Sequence, residues 1–493
     1  VDVTFTNKLA TGNGSVYKYD SVTGNAIGIG QAQFTFTYYD TFGSYFDVTG
    51  QTPKATWTFQ TGADGNVLFD ASHYVSGSPL PTLGDGTVAM PCGIYKLTET
   101  KIPDNYQGST NVISKIAMQG YEWCNGEKVS IPNTPDRHVK IKKTSANPEI
   151  TNGNGMYSFN GAKFRLYNSS KSYEFTCNAN GDSQEIPVAP GAYKLEETVV
   201  PTGYEKAADQ DVTVSGNAGD PVITLTVADV PKTGILIGGV NKSAVYPSEK
   251  SLEGAEFTVR FYAGASSANG NPTRTWVFKS NSFGMVRFVD KEEFFVAEKS
   301  SSLYYDNDRK VVIPLGYVTI EETKAPDGYT VNKEIKGVPI TIDGNGNTPD
   351  FSASVVATYK EEFKWGGVKV GKIDHELKTG VAQGDATLEG AVFDIIVSDN
   401  EKDNMFIKGH PEKSYESGEV IYQITTDANG IAQCDAFLQA GEYTIKETKP
   451  PKGYLLSDYS KTFKIQNDGE IVDLSGSDPV DQKVYYGALH LEK

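Results

Sequence analysis

One short segment recurs four times in the 493-residue chain: an alternating apolar strand, Glu-Thr, a proline and a closing tyrosine. The copies are YKLTETKIPDNY (95–106), YKLEETVVPTGY (193–204), YVTIEETKAPDGY (317–329) and YTIKETKPPKGY (443–454). Each copy ends its apolar strand with a glutamate, namely Glu99, Glu197, Glu322 and Glu447. Because the copies lie roughly 100 to 125 residues apart, each repeat is long enough to form its own core, and the chain is predicted to be an array of domains.

The composition favours β structure. Tyr, Phe, Thr and Val are abundant, Gly and Pro number 50 and 23, and no long window has apolar residues at helical spacing. About seven short strands with turn signals between them fit into each repeat, which is typical of an immunoglobulin-like β-sandwich. The net charge of −17 disfavours nucleic acid as a partner and suits a soluble extracellular protein. No stretch is apolar and long enough for a membrane span.

Three further features recur in a fixed order around each Glu-Thr segment. The first is a strand that ends in a lysine, namely Lys18, Lys143, Lys242 and Lys372. The second is a Gly-Ala-x-Phe element, GQAQF in the first repeat, whose phenylalanine is predicted to point inward. The third is a closing strand that ends at Asn133, Asp229 and Asp481 in the first, second and fourth repeats.

This order of Lys, Glu and Asn or Asp suggests a chemistry. If the first and last strands of a sandwich are neighbours, the lysine and the Asn or Asp meet in the core. Burial lowers the pKa of a lysine and favours the neutral acid form of a glutamate. The amine can then attack the side-chain carbonyl while the glutamate handles protons, and proximity supplies most of the rate. The alternative for any single repeat is an ordinary lysine–glutamate ion pair.

The combined motifs resemble Cna protein B-type (CnaB) domains of Gram-positive surface adhesins and sortase-assembled pilins, in which the Glu-Thr segment is similar to the pilin E-box. The resemblance covers nearly the whole chain. It implies tandem all-β sandwiches in an elongated array, joined internally by autocatalytic isopeptide bonds that need no cofactor or metal. The implied triads are Lys18–Glu99–Asn133, Lys143–Glu197–Asp229 and Lys372–Glu447–Asp481.

The third repeat departs from this pattern. Its closing strand has Thr358, Tyr359, Lys360 and Glu361 where an asparagine is expected. Two alternatives stay open: Glu322 assists a crosslink whose acceptor is not identified, or Lys242 and Glu322 form a buried ion pair.

The predicted domains are 12–137, 138–233, 234–364 and 365–485. Residues 1–11 resemble the closing strand of another unit, with Asn7 at the acceptor position, and 486–493 an opening strand, with Lys493 at the nucleophile position. Either the chain is a fragment of a longer array, or successive subunits share a split domain through this pair.

We therefore predict an extracellular stalk or pilus-shaft protein on the cell surface, anchored to the cell wall or in a pilus, rather than an enzyme with an external substrate. The implied partners are neighbouring pilin or stalk subunits, sortase, and a host protein or glycan. The alternative function is an adhesin that binds such a host molecule directly, for which the insertions 40–55, 72–90 and 290–312 are candidate surfaces.

Cys92 and Cys124 fall in the first repeat and are a candidate disulfide, with two free thiols as the alternative. The five histidines are scattered and show no metal-ligand spacing.

Overall fold

The structure is a computed structural model. It describes residues 10–28, 30–42, 47–108, 111–117, 122–216, 220–235, 239–348, 357–487 and residue 492. Within this part of the chain nearly all regular structure is β-strand, and the all-β prediction is confirmed.

The strands sort by repeat. In the first repeat they are β1 (Ser15–Asp20), β2 (Gln33–Tyr39), β3 (Ala55–Gln60), β4 (Asn66–Val67), β5 (Tyr74–Gly77), β6 (Gly93–Lys101), β7 (Tyr106–Gln107), β8 (Ile113–Ala117) and β9 (Lys128–Pro135). In the second they are β10 (Arg137–Ser145), β11 (Lys163–Tyr167), β12 (Ser172–Thr176), β13 (Ile186–Val188), β14 (Gly191–Val199), β15 (Gln210–Val214) and β16 (Ile223–Asp229).

The other two repeats follow the same plan. The third has β17 (Thr233–Gly234), β18 (Val240–Ala244), β19 (Glu256–Ala263), β20 (Arg274–Lys279), β21 (Met285–Val286), β22 (Tyr304–Tyr305), β23 (Val311–Pro314), β24 (Gly316–Lys324), β25 (Ile335–Ile340) and β26 (Ala357–Glu361). The fourth has β27 (Trp365–Asp374), β28 (Val392–Val397), β29 (Met405–Phe406), β30 (Ser414–Tyr415), β31 (Val420–Thr425), β32 (Ile431–Gln439), β33 (Gly441–Lys449), β34 (Ser460–Ile465), β35 (Glu470–Asp473) and β36 (Val480–Gln482). The helical segments are α1 (Pro148–Thr151) and the 3-10 turns Glu122–Cys124 and Ala297–Lys299.

Each repeat contains two main sheets, and the third and fourth repeats have one further small sheet each, β17-β23-β22 and β29-β30. One sheet holds the lysine-bearing opening strand (β1, β10, β18, β27), flanked by a hairpin strand and the closing strand. The other holds the Gly-Ala-x-Phe strand (β2, β11, β19, β28) next to the Glu-Thr strand (β6, β14, β24, β33). In the second repeat the orders are β13-β10-β16 and β12-β11-β14-β15. Apolar side chains from both sheets share one core, as Ile141 of β10 and Leu166 of β11 do, so each repeat is a sandwich.

The opening and closing strands are parallel neighbours in every repeat. Their paired positions place the residue two after each lysine opposite one residue of the closing strand: Asp20–Asn133, Ser145–Asp229, Ala244–Glu361 and Asp374–Gln482. Because side chains alternate between the faces of a sheet, the lysine and this closing residue point to the same face. The register therefore brings both side chains into the core.

A turn glycine fixes the backbone of each lysine. The carbonyl oxygens of Gly65, Gly181, Gly284 and Gly430 accept hydrogen bonds from the backbone N–H groups of the four lysines at 2.8, 2.6, 2.9 and 2.9 Å. All four glycines have positive φ, between 72° and 80°, a region that other residues adopt only at a cost. A Cβ at Gly181 would lie 2.2 Å from the carbonyl oxygen of Lys143.

In the first and fourth repeats the opening strand ends at an aspartate that accepts a hydrogen bond from a tyrosine. The tyrosine hydroxyls of Tyr106 and Tyr454 donate to Asp20 and Asp374, each at 2.8 Å. Burial acts to raise the pKa of Asp374, but hydrogen bonds from backbone N–H groups, Gln383 and Tyr454 outweigh it, so that the pKa is lowered. In the first and fourth repeats this contact accounts for the Lys-x-Asp spacing and for the tyrosine that ends the Glu-Thr segment.

The described residues group into two compact units, Val1–Ala146 with Ser158–Val230, and Asn147–Tyr157 with Pro231–Lys493. The second unit therefore includes α1 although this helix lies within the second repeat in sequence. No helix in the described part of the chain is long and apolar enough to cross a bilayer.

We expect Gly181→Ala to destabilise the second repeat more than Gly161→Ala does. Gly161 has a similar φ of 81° but open space around its Cβ position, so its substitution should cost only the backbone strain, about 1 kcal/mol. Gly181→Ala adds overpacking against Lys143 and should cost roughly 2–4 kcal/mol in total. Calorimetry of both full-length variants measures this difference, and equal losses would contradict the role of this turn.

We expect Tyr454→Phe to lower the free energy of unfolding by about 1 kcal/mol at neutral pH, because a buried hydrogen bond to a charged group is lost. Since the pKa of Asp374 is lowered by folding, this stabilisation is present above the unfolded pKa near 3.9 and fades as the pH falls below it. Tyr329→Phe is the control, because that hydroxyl lies 3.4 Å from the Lys250 carbonyl oxygen. A penalty that does not change between pH 7 and pH 3 would refute the assignment.

Candidate functional site

The first repeat brings Lys18, Glu99 and Asn133 together in its core. The Lys18 ammonium nitrogen lies 2.5 Å from Asn133 Oδ1 and 3.0 Å from Glu99 Oε1. The Asn133 amide nitrogen donates to the same Glu99 oxygen at 2.9 Å. Burial lowers the pKa of Lys18, against the opposing effect of Glu99. One carboxylate oxygen therefore contacts both nitrogens of the cluster.

The second repeat holds Lys143 between two carboxyl groups. Its ammonium lies 2.7 Å from Glu197 Oε1 and contacts Asp229 Oδ1, and all three side chains are fully buried. Burial raises the pKa of Asp229 to about 6, despite the attraction of Lys143. Two carboxylates share one cation here, so one of them is held close to its neutral form.

In the third repeat a lysine again lies between two carboxyl groups, and the closing-strand carboxyl group is a glutamate instead of an aspartate. Lys242 contacts Glu322 and lies 2.6 Å from Oε1 of Glu361, with all three side chains buried. Burial raises the pKa of Glu361. Glu361 thus occupies the closing-strand position at which the sequence lacks an asparagine, and the lysine has two acidic partners where a single pair was expected.

In the fourth repeat the prediction of Asp481 as the closing-strand residue of the cluster is wrong. Lys372 lies 2.6 Å from Glu447 Oε1, as expected of this pair, but Asp481 is not in the core. Its side chain is 40% exposed and pairs with His375 and Lys378 at the surface. The residue that faces inward is Gln482, which is fully buried and donates from Nε2 to Glu447 Oε2 at 2.9 Å.

A β-bulge follows each glutamate. In the first repeat Gln33 pairs with Lys101 and Phe34 with Glu99, so Thr100 is the extra residue of the strand. The other repeats skip the equivalent threonines, Thr198, Thr323 and Thr448. In all four repeats the threonine hydroxyl donates to the carbonyl oxygen of the residue before the phenylalanine, at 3.2 to 3.4 Å. Strand alternation already directs the glutamate inward, two positions after the buried Leu97 in the first repeat, and the threonine hydroxyl occupies the bulge that follows it.

The phenylalanine of each Gly-Ala-x-Phe element lies under the lysine. The ammonium nitrogens lie 4.9 to 5.5 Å from the ring centroids of Phe34, Phe164, Phe257 and Phe393. At this distance the ring face attracts a cation, and it also excludes water from the cluster.

A backbone N–H orients the glutamate in three of the repeats. Oε2 of Glu197, Glu322 and Glu447 accepts from the N–H of the residue ten positions later: Ala207 at 2.9 Å, Asn332 at 2.7 Å and Ser457 at 2.9 Å. The other oxygen is thereby directed at the lysine. The carboxyl group is held between fixed donors before any chemistry takes place.

The four clusters fall into two classes. The first and fourth repeats have a neutral amide acceptor, Asn133 or Gln482, together with the Asp–Tyr contact at the strand end. The second and third have a carboxyl acceptor, Asp229 or Glu361, and carry Ser145 or Ala244 in place of that aspartate. An aspartate beside a carboxyl acceptor would add a third negative charge near one lysine.

Two other predicted features, the Asn7–Lys493 pair and the Cys92–Cys124 disulfide, have separate outcomes. Asn7 and Lys493 lie outside the described residues, so their pairing stays a prediction. Cys92 and Cys124 are free thiols rather than a disulfide. The Cys92 thiol donates to the Ala10 carbonyl oxygen at 3.1 Å, and burial together with the neighbouring Cys92 raises the pKa of Cys124 to about 11.

Sequence reasoning missed Glu361 and Gln482, although strand alternation contains the signal. In 357–361 the inward positions are Ala357, Tyr359 and Glu361, and in 480–482 they are Val480 and Gln482. Because side chains two positions apart in a strand face the same side, Glu361 faces the core with Tyr359, and Gln482 faces it with Val480.

Several solved structures are similar to this chain at low identity. The Bacillus anthracis TIE protein has 18% identity and a TM-score of 0.46, with 97% of this chain and 76% of that one covered. BcpA, the major pilin subunit of Bacillus cereus, has 15% identity and a TM-score of 0.26, with 71% and 99% covered. A streptococcal ancillary pilin has 15% identity and a TM-score of 0.23, with the same coverage. No curated protein matches the chain significantly.

The family comparison gives a match to two of the repeats. Residues 137–229 and 368–479 match the model of the SpaA prealbumin-like fold domain. These ranges cover the second repeat and most of the fourth, including Lys143, Glu197 and Asp229. These two repeats are therefore similar to the SpaA prealbumin-like fold domain, in agreement with the predicted resemblance to CnaB-type pilin domains.

Proposed function

We propose that this chain is an extracellular structural protein, a stalk or pilus-shaft subunit of a Gram-positive bacterium, whose repeats are closed by autocatalytic amide bonds. The proposed bonds join Lys18 to Asn133 and Lys143 to Asp229. The observation that supports this most is the buried cluster of Lys18, Glu99 and Asn133, in which nucleophile, proton carrier and acceptor lie within 3.0 Å of one another.

In the first repeat the reaction moves two protons from the lysine nitrogen through Glu99. Lys18 transfers a proton to Glu99, and the neutral amine attacks Cγ of Asn133. Glu99 passes this proton to the leaving nitrogen, whose hydrogen bond to this carboxylate is already formed. The C–Nδ2 bond breaks and ammonia is released, while Glu99 takes the second proton from the attacking nitrogen and is left protonated. Preorganised geometry and a lowered lysine pKa both favour the attack.

In the second repeat the acceptor is an acid, so the leaving group is water. Attack requires the neutral carboxyl form of Asp229, which the raised pKa favours. Glu197 lies on the other side of the Lys143 ammonium and is the proton acceptor. The two reactions are single events for each domain, so the protein needs no external substrate and is not a turnover enzyme.

The bonds would stabilise the repeats by restricting the unfolded chain. Lys18 and Asn133 are 115 residues apart, and Lys143 and Asp229 are 86 apart. By analogy with a disulfide of similar loop length, each bond would stabilise its repeat by about 4–5 kcal/mol.

The remaining parts of the proposal concern assembly. As a surface structural protein the chain would contact neighbouring pilin or stalk subunits, and sortase would attach it to them or to the cell wall. The domain limits 12–137, 138–233, 234–364 and 365–485 are the proposed units of this assembly.

We expect the intact mass of the purified chain to be lower than the sequence mass by one ammonia for the first repeat and one water for the second. In Glu197→Gln we expect the loss of water from the second repeat to disappear and the loss of ammonia from the first repeat to remain. The reason is that an amide cannot accept the lysine proton. Glu196→Gln is the matched control, since Glu196 is the adjacent residue and pairs with Arg165 at the surface. Peptide mapping assigns each loss, and a wild-type mass equal to the plain sequence would refute the proposal.

We also expect the first repeat to resist stretching. With the bond in place, the residues between Lys18 and Asn133 carry no load, whereas Glu99→Gln should release a further length when the repeat unfolds. For a separation of 115 residues at about 3.4 Å per residue this length is about 390 Å. Single-molecule pulling measures it, with the surface variant Glu127→Gln as control. Equal release in wild type and Glu99→Gln would contradict the bond.

A further inference from the structure

We propose that the fourth repeat is closed by an amide bond between Lys372 and Gln482, formed with release of ammonia and assisted by Glu447. This inference rests on the proposed function of the first two repeats and extends it to a glutamine acceptor. It replaces Asp481, the residue that the sequence pattern favoured.

The register of the closing strand supports Gln482. β36 pairs with β27 so that Gln482 lies opposite Asp374, the position that Asn133 holds opposite Asp20 in the first repeat. Gln482 and Lys372 therefore point to the same face, and both side chains are buried. Asp481 points the opposite way and its carboxylate is engaged by Lys378 at 2.7 Å.

Glu447 bridges the two groups. Its Oε1 accepts from Lys372 Nζ at 2.6 Å, and its Oε2 accepts from Gln482 Nε2 at 2.9 Å. In the first repeat a single oxygen of Glu99 makes both contacts. The longer glutamine side chain thus reaches the second oxygen of the same carboxylate, and the proton route from amine to leaving nitrogen is retained.

The carbonyl of Gln482 is the unusual group in this cluster. Its Oε1 is buried and has no hydrogen-bond partner among the described residues. An unsatisfied buried acceptor is unfavourable, and Lys372 Nζ, which donates to the same Glu447 carboxylate, is a donor of this cluster. Burial lowers the pKa of Lys372 to about 8, so a substantial share of this amine is neutral in mildly basic solution.

The reaction balances without a co-reactant. Lys372 passes one proton to Glu447, and the neutral amine attacks Cδ of Gln482 to form a C–N bond. Glu447 passes its proton to the leaving Nε2, the C–Nε2 bond breaks and ammonia departs. Glu447 then takes the second proton from the attacking nitrogen and is left protonated. The product is a neutral amide, which removes the buried charge of Lys372 and leaves Glu447 bound to the Ser457 backbone N–H.

The test is peptide mapping and intact mass of the full chain and three variants. In the wild type we expect a branched peptide joining the Lys372 and Gln482 segments. Gln482→Met keeps the side-chain length without a carbonyl. We expect this variant to show no loss of ammonia from the fourth repeat when its mass is compared with its own sequence mass. Gln482→Glu should release water instead and give a crosslinked mass identical to that of the crosslinked wild type, because the product is the same. Asp481→Asn is the control and should keep the bond.

The outcomes separate this inference from the proposed function. A linear fourth repeat beside an intact Lys18–Asn133 bond would overturn the inference alone, and so would a branch from Lys372 to Asp481. A chain that is linear in the first and second repeats as well would overturn the proposed function. If Gln482→Met does not fold, the Gln482→Glu mass and the wild-type branched peptide still decide the question.

Discussion

The burial of one lysine in each repeat is the constraint on which the rest of the domain depends. An ammonium group in a protein interior is unfavourable by several kcal/mol unless an opposite charge and further polar contacts compensate it. The side chains of all four lysines are 0% exposed. The glutamate, the aromatic ring under the ammonium and the turn that holds the lysine backbone all contact or position this one group. The recurring motifs of the sequence are the parts of a single polar cluster in an otherwise apolar core.

Much of this arrangement could be predicted from sequence because it repeats. The lysine, the Glu-Thr segment and the inward phenylalanine have fixed order and local strand patterns, and the structure places them together in every repeat. The closing-strand residue that faces the lysine cluster was harder to predict because the closing strand is short and this residue varies. In the fourth repeat Asp481 fits the expected chemistry but lies on the wrong face, and the register with β27 decides for Gln482. The role of the turn glycines also depends on tertiary contact, since a hairpin turn does not reveal which strand its carbonyl meets.

The differences between the repeats follow from the number of acidic side chains near each lysine. Where the acceptor is an amide, the site contains one cation and one carboxylate, and a further aspartate is tolerated two residues after the lysine because its tyrosine partner and backbone donors stabilise it. Where the closing residue is itself a carboxyl group, the site already has two acidic side chains, and burial, with a smaller contribution from the neighbouring glutamate, raises the pKa of Asp229 and of Glu361. A small residue then replaces the aspartate. The closing residue and the residue two positions after the lysine therefore vary together, because both determine how many negative charges lie near the lysine.

The parallel pairing of the opening and closing strands has a mechanical consequence. Because the two strands run in the same direction, the chain enters a repeat at one end of this strand pair and leaves at the other. Tension on the chain then pulls the strands past each other along their length and loads their ladder hydrogen bonds together, in shear. An antiparallel pair would bring entry and exit to the same end, where the bonds would open one after another like a zipper. The first and last strands thus form a shear clamp in each repeat even before any covalent bond is considered.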